Sequence, residues 1–147
     1  MTEADAVSVY AQATHHDHIL GVYPPFDTGS SGLAVMRVMK TRGWISGYKH
    51  AFSPSHAIGA LMLGPGISGL TWLTGCDEPD AHGVVRYRGT VRGGHEVELV
   101  GYDAGARLVW FCNSWGTSWG KDGYFAMSYD DFALALADHG DATFPVA

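Results

Sequence analysis

Helices in the first half and antiparallel strands in the second, an α+β order, is the fold class this sequence predicts. Three observations predict it. Apolar residues recur at helical spacing as far as Gly64-Pro65 and at a spacing of two beyond it. A Ser or Thr heads each helical run, where its side-chain oxygen can accept a backbone N–H that the helix leaves unpaired. The later apolar runs are separated by Gly or Asp turns short enough to reverse the chain. No repeat and no interior linker interrupts the order, so residues 1–147 read as a single domain, with 1–64 helical and 65–147 strand-rich.

Thr2, with Asp5 three residues on, reads as an N-cap with a capping-box partner, and Ala6, Val7, Tyr10, Ala11 and Thr14 continue it as a helix over 3–14. The run His15-His16-Asp17-His18 has the look of a metal tag. Histidines are, however, favoured at a helix C-terminus by the helix dipole, and three crowded imidazoles lack a distant fourth ligand. Neither a metal nor another cofactor is expected. Pro24-Pro25 breaks the chain, and residues 27–32 form a turn in which Ser30 or Ser31 caps a second helix. Leu33, Val35, Met36, Val38 and Met39 are its apolar positions and Gly43 its stop. The lysine-hydroxyl ending of a phosphate loop is missing there, so the glycines and serines are a capped turn. Ser53-Pro54 opens a third helix, which runs through Ala57, Ile58, Leu61 and Met62 to Gly64-Pro65. Strands are expected over 67–72, 84–87, 95–102, 108–112 and 124–128, with Asp103-Ala104-Gly105-Ala106 as a tight hairpin connection. Ser128 caps a last helix over 129–138 with Phe132, Ala133 and Leu136 inward, and 143–146 adds an edge strand.

The 147 residues, 46% hydrophobic and 16% charged, suit one globular core, and no run of 18 apolar residues offers a membrane span. A net charge of −6 argues against a nucleic-acid surface, which needs clustered Lys and Arg. The acidic start, Met1-Thr2-Glu3-Ala4-Asp5, lacks the basic region of a secretory signal. Cys76 and Cys112 could form one disulfide at most, and neither lies in a metal-ligand pattern.

Two polar residues stand out across the predicted hairpin. Alternation puts His95, Val97 and Leu99 on one face, and puts Asn113 and Phe111 on the face opposite to Cys112 and Trp110. A hairpin centred near residues 104–105 sets His95 roughly opposite Asn113. An amide carbonyl there can fix the tautomer and plane of an imidazole and leave its other nitrogen to take a proton. A lone His and Asn paired this way is more often structural than catalytic.

The surrounding residues are more specific. Gly93-Gly94-His95-Glu96-Val97, then Asn113-Ser114-Trp115-Gly116-Thr117-Ser118-Trp119-Gly120-Lys121-Asp122-Gly123-Tyr124, resemble the C-terminal lobe of the papain-like cysteine peptidases, in particular divergent bacterial and bacteriophage members. The segment from Asp27 to Trp44, and Gly64-Pro65 with the strand after it, extend the resemblance over residues 20–138. It implies a papain-like fold with an incomplete helical lobe followed by an antiparallel, barrel-like β lobe. It also implies His95 as general base and later acid, Asn113 as its orienter, Trp115 as a shield over their bond, and Gly29, Ser30 and Gly94 as peptide-binding positions.

The family's nucleophile motif, Q-x-G-x-C-x-x-C-W, has no counterpart in this sequence. One alignment puts Ala34 at the nucleophile position and the other puts that position before Met1. Cys76 sits in a loop without a capped helix behind it, Cys112 points away from the His95 face as a small buried hydrophobe, and Ser31 is a helix cap. Glu96 stands where the family usually has a small residue. The expectation is therefore a pseudoenzyme that keeps the His/Asn half of the site, is inactive alone, and acts as a structural, peptide-binding or interaction module, as in a virion. The alternative is an active hydrolase whose nucleophile helix comes from an upstream segment or a partner chain. A peptide or protein partner is expected, including a chain covering the position of the missing helix. Nucleic acid and membrane are not expected, an oligomer is compatible, and the setting is cytoplasmic or virion-associated.

Overall fold

The structure is a computed structural model and describes residues 2–147. Helix α1 (Glu3–Ala13) starts at Thr2, whose hydroxyl accepts the Asp5 N–H while the Asp5 carboxylate accepts the Thr2 N–H. In α2 (Gly32–Thr41) the Ser31 hydroxyl accepts the Ala34 N–H, and the chain leaves through Gly43 at φ +71. Val9 and Ala13 of α1 meet Ala34 and Val38 of α2 in a small core of their own.

Strand β1 (Gly47–His50), helix α3 (Pro54–Ala60), strands β2 (Gly66–Leu73), β3 (Val91–Asp103), β4 (Leu108–Cys112) and β5 (Tyr124–Ser128), helix α4 (Tyr129–Ala137) and strand β6 (Asp141–Val146) follow. The caps expected at Ser53 and Ser128 are present, accepting from the His56 and Asp131 N–H groups. The six strands make one antiparallel sheet in the order β1-β6-β2-β3-β4-β5. This is the α+β order that the sequence predicts.

Three details differ from expectation. Residues 143–146 are not an edge: β6 lies inside the sheet, between β2 and β1. The edge is β1, four residues without a strand pattern of their own, which pair one for one with Thr143 to Val146. A piece of the first 64 residues is thus part of the sheet. Residues 84–87 are not a strand: Val84 makes a single bridge to Ala126, and the Arg86 and Arg88 backbones turn to Gly75 instead. A Cβ on Gly75 would lie 2.5 Å from the Arg86 carbonyl oxygen, so only glycine permits that approach. The third helix gives way after Ala60 to a 3₁₀ turn, Leu61–Leu63, whose tighter winding swings Met62 outward to 88% exposure.

The main core lies on one face of the sheet. Leu70 and Trp72, Val97 and Leu99, Val109 and Phe111, and Phe125 and Met127 alternate inward from four strands and meet Ala57 of α3 and Phe132 and Ala135 of α4. Phe111 stacks on Phe125 at 4.9 Å and meets Phe132 edge-on at 5.5 Å. The α1–α2 pair stays outside this core, with α2 packed against β6, β1 and β2. Two separate cores leave a cleft between them, and the site lies there. Phe111→Ala should cost about 3–5 kcal/mol through lost burial and the cavity it leaves; urea unfolding of the two proteins checks this.

Candidate functional site

The cleft holds about 860 Å³. Tyr10 and residues 29–32 wall it on the helical side; Gly69, Leu70, Gly94, His95, Glu96 and Asp141 are among its walls on the sheet side. His95 reaches it from β3. The β3–β4 ladder pairs Glu98 with Cys112 and slips by one residue between Leu99 and Gly101. Continued past Cys112, that register brings Asn113 level with Val97, so His95 is its diagonal neighbour on the same face and not its direct opposite. A diagonal still lies within reach of an imidazole. Asn113 sits just past the end of β4, fixed by its own N–H on the Gly123 carbonyl at 2.9 Å.

The hydrogen bonds there determine the tautomer. Ser114 N–H donates to Asn113 Oδ1 at 2.8 Å, and His95 Nε2 faces the same oxygen at 2.9 Å. A backbone N–H can only donate, so the atom it meets is the amide oxygen, and an oxygen facing Nε2 requires the hydrogen on Nε2. In the neutral ring Nδ1 is then the unprotonated nitrogen, and no hydrogen bond engages it among the described residues. Among the described residues no acceptor meets the buried Asn113 Nδ2, an arrangement that costs about 1–3 kcal/mol.

Aromatic rings confine the imidazole. Trp115 stacks on it at 4.9 Å and 29°, with 44% of the residue exposed. Trp72, buried in the core, meets it edge-on at 5.0 Å. Trp72 is expected in a strand over 67–72 but not as a residue of the site. Its place follows from the β2–β3 register, which sets Leu70 opposite His95 and Trp72 opposite Gly93, and no local pattern reveals that pairing.

On the other wall, Gly29 N–H donates to the Tyr10 hydroxyl at 3.0 Å, and that hydroxyl donates to Asp27. The Ser30 hydroxyl donates to Asp17 at 2.6 Å. These side-chain ties hold the segment, while among the described residues no hydrogen bond engages the Gly29 carbonyl or the Ser30 N–H. Gly29 (φ +83) has open space where a Cβ would stand. Gly94 lies across the cleft, on the strand that carries His95. Asp17 also accepts the Ile19 N–H, so within the His15-His16-Asp17-His18 run it serves the turn; among the described residues no three metal-ligating side chains converge.

Neither cysteine lines the cleft. Cys76 is buried in the main core, its thiol 3.6 Å from the Arg86 carbonyl and pushed up by burial. Cys112 is half-buried and not the buried hydrophobe expected, because the face of β4 away from the core is only partly covered. Ser31 does line the cleft, but its oxygen is the α2 cap.

Glu96 points into the corner between the two walls. Its Oε1 accepts the N–H of Gly32, the first residue of α2, at 3.1 Å, and Asp141 accepts the Gly69 N–H at 3.1 Å. A Cβ on Gly69 would stand 2.6 Å from Glu96 Oε1 and 3.0 Å from Asp141 Oδ1, so glycine makes room for both carboxyls. Glu96 as a whole reaches solvent, yet the enclosure of its carboxyl end, and after it the Asp141 charge, pushes it up to about 7 against the opposing pull of the Gly32 N–H.

Residues 80–139 match the family model described as papain family cysteine protease. A stretch of 42 residues is 52% identical to cathepsin B-like CP2 of Giardia intestinalis, covering 26% of this chain and 14% of that protein. Cathepsin B-like CP3 of the same organism is 52% identical over 40 residues, 25% of this chain and 13% of the relative. Xylellain, a cysteine protease from Xylella fastidiosa, superposes with a TM-score of 0.59 at 27% identity, over 70% of this chain and 40% of its own. Bromelain from Ananas comosus, at 17% identity, shares the fold alone, with a TM-score of 0.53 over 96% of this chain and 67% of its own. The matches thus span a minor part of the cathepsin B-like proteins and less than half of xylellain.

A raised carboxyl pKa means that the folded chain holds the Glu96 proton more tightly than the unfolded chain does. The stability this contributes is fully present below 4.5 and is lost as pH rises through about 7. Glu96→Gln, which cannot ionise, should lack that loss. Urea midpoints of the two proteins from about pH 4 to about pH 8 should therefore diverge in the variant's favour as pH rises.

Proposed function

We propose that this chain, papain-like in its fold and in its His/Asn segment, supplies the general-base half of a cysteine-peptidase site and the walls of a peptide groove, and is a pseudoenzyme by itself. The observation that carries this reading is the His95–Asn113 bond of 2.9 Å beside a cleft that no cysteine lines. A general base acts only within hydrogen-bond reach of the proton it takes, about 3 Å. Thiol chemistry needs a thiolate, favoured by a lowered pKa, and Cys76 is moved the other way by burial. What remains is recognition: an extended peptide would lie along the Gly29 carbonyl and Ser30 N–H on one wall and Gly94 on the other. Trp115, stacked on the imidazole, would keep water off the His95–Asn113 bond.

A second reading is favoured by the unpaired Nδ1 of His95. If another segment brought a cysteine into the cleft, the thiol proton would pass to Nδ1 and the thiolate would attack the peptide carbonyl. The imidazolium would return that proton to the leaving amine, and water would then release the acyl group through the same base. An apolar hollow formed by Val9, Val35, Met36, Met39, Ile67 and Pro145 supports a covering partner or segment.

Peptide binding and a thiol-directed peptidyl probe test the first reading. The 147-residue chain should bind a fluorescent extended peptide without cleaving it and should show no probe labelling at Cys76 or Cys112. Labelling at either cysteine that disappears in His95→Ala would overturn the inactive reading.

A further inference from the structure

Asp77 lies just beyond the 3₁₀ turn Thr74–Cys76, outside the cleft, yet three of its atoms hold the surroundings of His95. Its Oδ1 accepts the Trp72 indole N–H at 3.0 Å, and its backbone carbonyl accepts the Trp119 indole N–H at 2.9 Å. Its Oδ2 pairs with Arg92 at 3.0 Å, which balances the charge. The two indoles held this way each meet Trp115 edge-on, at 5.1 and 5.0 Å. Trp115 stacks on the imidazole of His95, and Trp72 meets that imidazole directly by its edge. The contacts therefore run unbroken from Asp77 to the ring.

We propose that Asp77 is a positioning residue for His95, its carboxylate acting through Trp72 while its backbone carbonyl holds Trp119. An imidazole tied by one hydrogen bond is poorly fixed, because its second torsion is broad and roughly two-fold, and a half-turn would put Cε1 where Nε2 faces Asn113, ending the bond that selects the tautomer. Lateral walls prevent that turn. Trp115, exposed on one side, cannot serve alone; it is steadied by two indoles whose own orientation depends on where their N–H groups end. A buried indole N–H needs an acceptor, and both acceptors belong to Asp77. This assignment rests on the reading of His95 as a base, but the ring's fixation can be measured apart from any peptide chemistry.

The test is nitrogen-15 NMR of the histidine-labelled full chain, which reads the protonation of Nδ1 and Nε2 separately. In the native protein the two His95 nitrogens should give well-separated signals with the hydrogen on Nε2. In Asp77→Ala they should move toward a common, averaged position, whereas Asp77→Asn, whose amide oxygen still accepts from Trp72, should keep the native pattern. Trp72→Phe retains a ring at that position and loses the N–H, so it should behave as Asp77→Ala does and carries the test if Asp77→Ala does not fold. Unchanged His95 signals in folded Asp77→Ala or in Trp72→Phe would overturn the proposal, as would loss of the pattern in Asp77→Asn. Because the signal is the imidazole's own, failure here leaves the peptide-groove reading standing, and failure of peptide binding leaves this result intact.

Discussion

One oxygen, Asn113 Oδ1, receives both the Ser114 N–H and the His95 Nε2–H, and the character of the site depends on that coincidence. The backbone donor makes the amide orientation unambiguous, and the amide in turn fixes which imidazole nitrogen carries hydrogen. Everything near it reinforces the arrangement. The β3–β4 slip brings the two residues onto a reachable diagonal, Gly123 holds the Asn113 backbone, and tryptophans restrict the imidazole. The orphaned Nδ2 of Asn113 is the cost of giving the oxygen two donors.

The cleft arises from the division of apolar residues into two cores. The helical pair buries Val9, Ala13, Ala34 and Val38 within itself, while the sheet closes under α3 and α4. Among the described residues, the Gly32 N–H to Glu96 bond is the one hydrogen bond that joins residues 2–45 to residues 65–147. It lies one residue from His95, so the carboxyl beside the imidazole is also the polar tie between the walls. Gly32 and Gly69 leave the space it occupies.

Much of the fold was legible because its signals are local. Thr2, Ser31, Ser53 and Ser128 each cap the helix their position announces, and 108–112 and 124–128 alternate as strands should. What escaped depends on pairing at a distance. Residues 47–50 are a strand only because β6 is beside them, and 84–87 lose their strand character to Gly75. In the site, His95, Asn113 and Trp115 lie in one motif-bearing stretch and could be found together. Trp72 and Asp77 come to His95 through sheet register and a turn, and Gly32 meets Glu96 from 64 residues away. No periodicity within a window carries such contacts.

The His95 imidazole is tied to Asn113 and walled by tryptophans in a cleft that neither cysteine lines. Its proposed role as a base depends on one hydrogen atom. A neutron diffraction map of the crystalline protein near neutral pH would locate it: deuterium on His95 Nε2, directed at Asn113 Oδ1, with Nδ1 bare, is the predicted result. Deuterium on Nδ1 alone, or an imidazole turned away from Asn113, would contradict it.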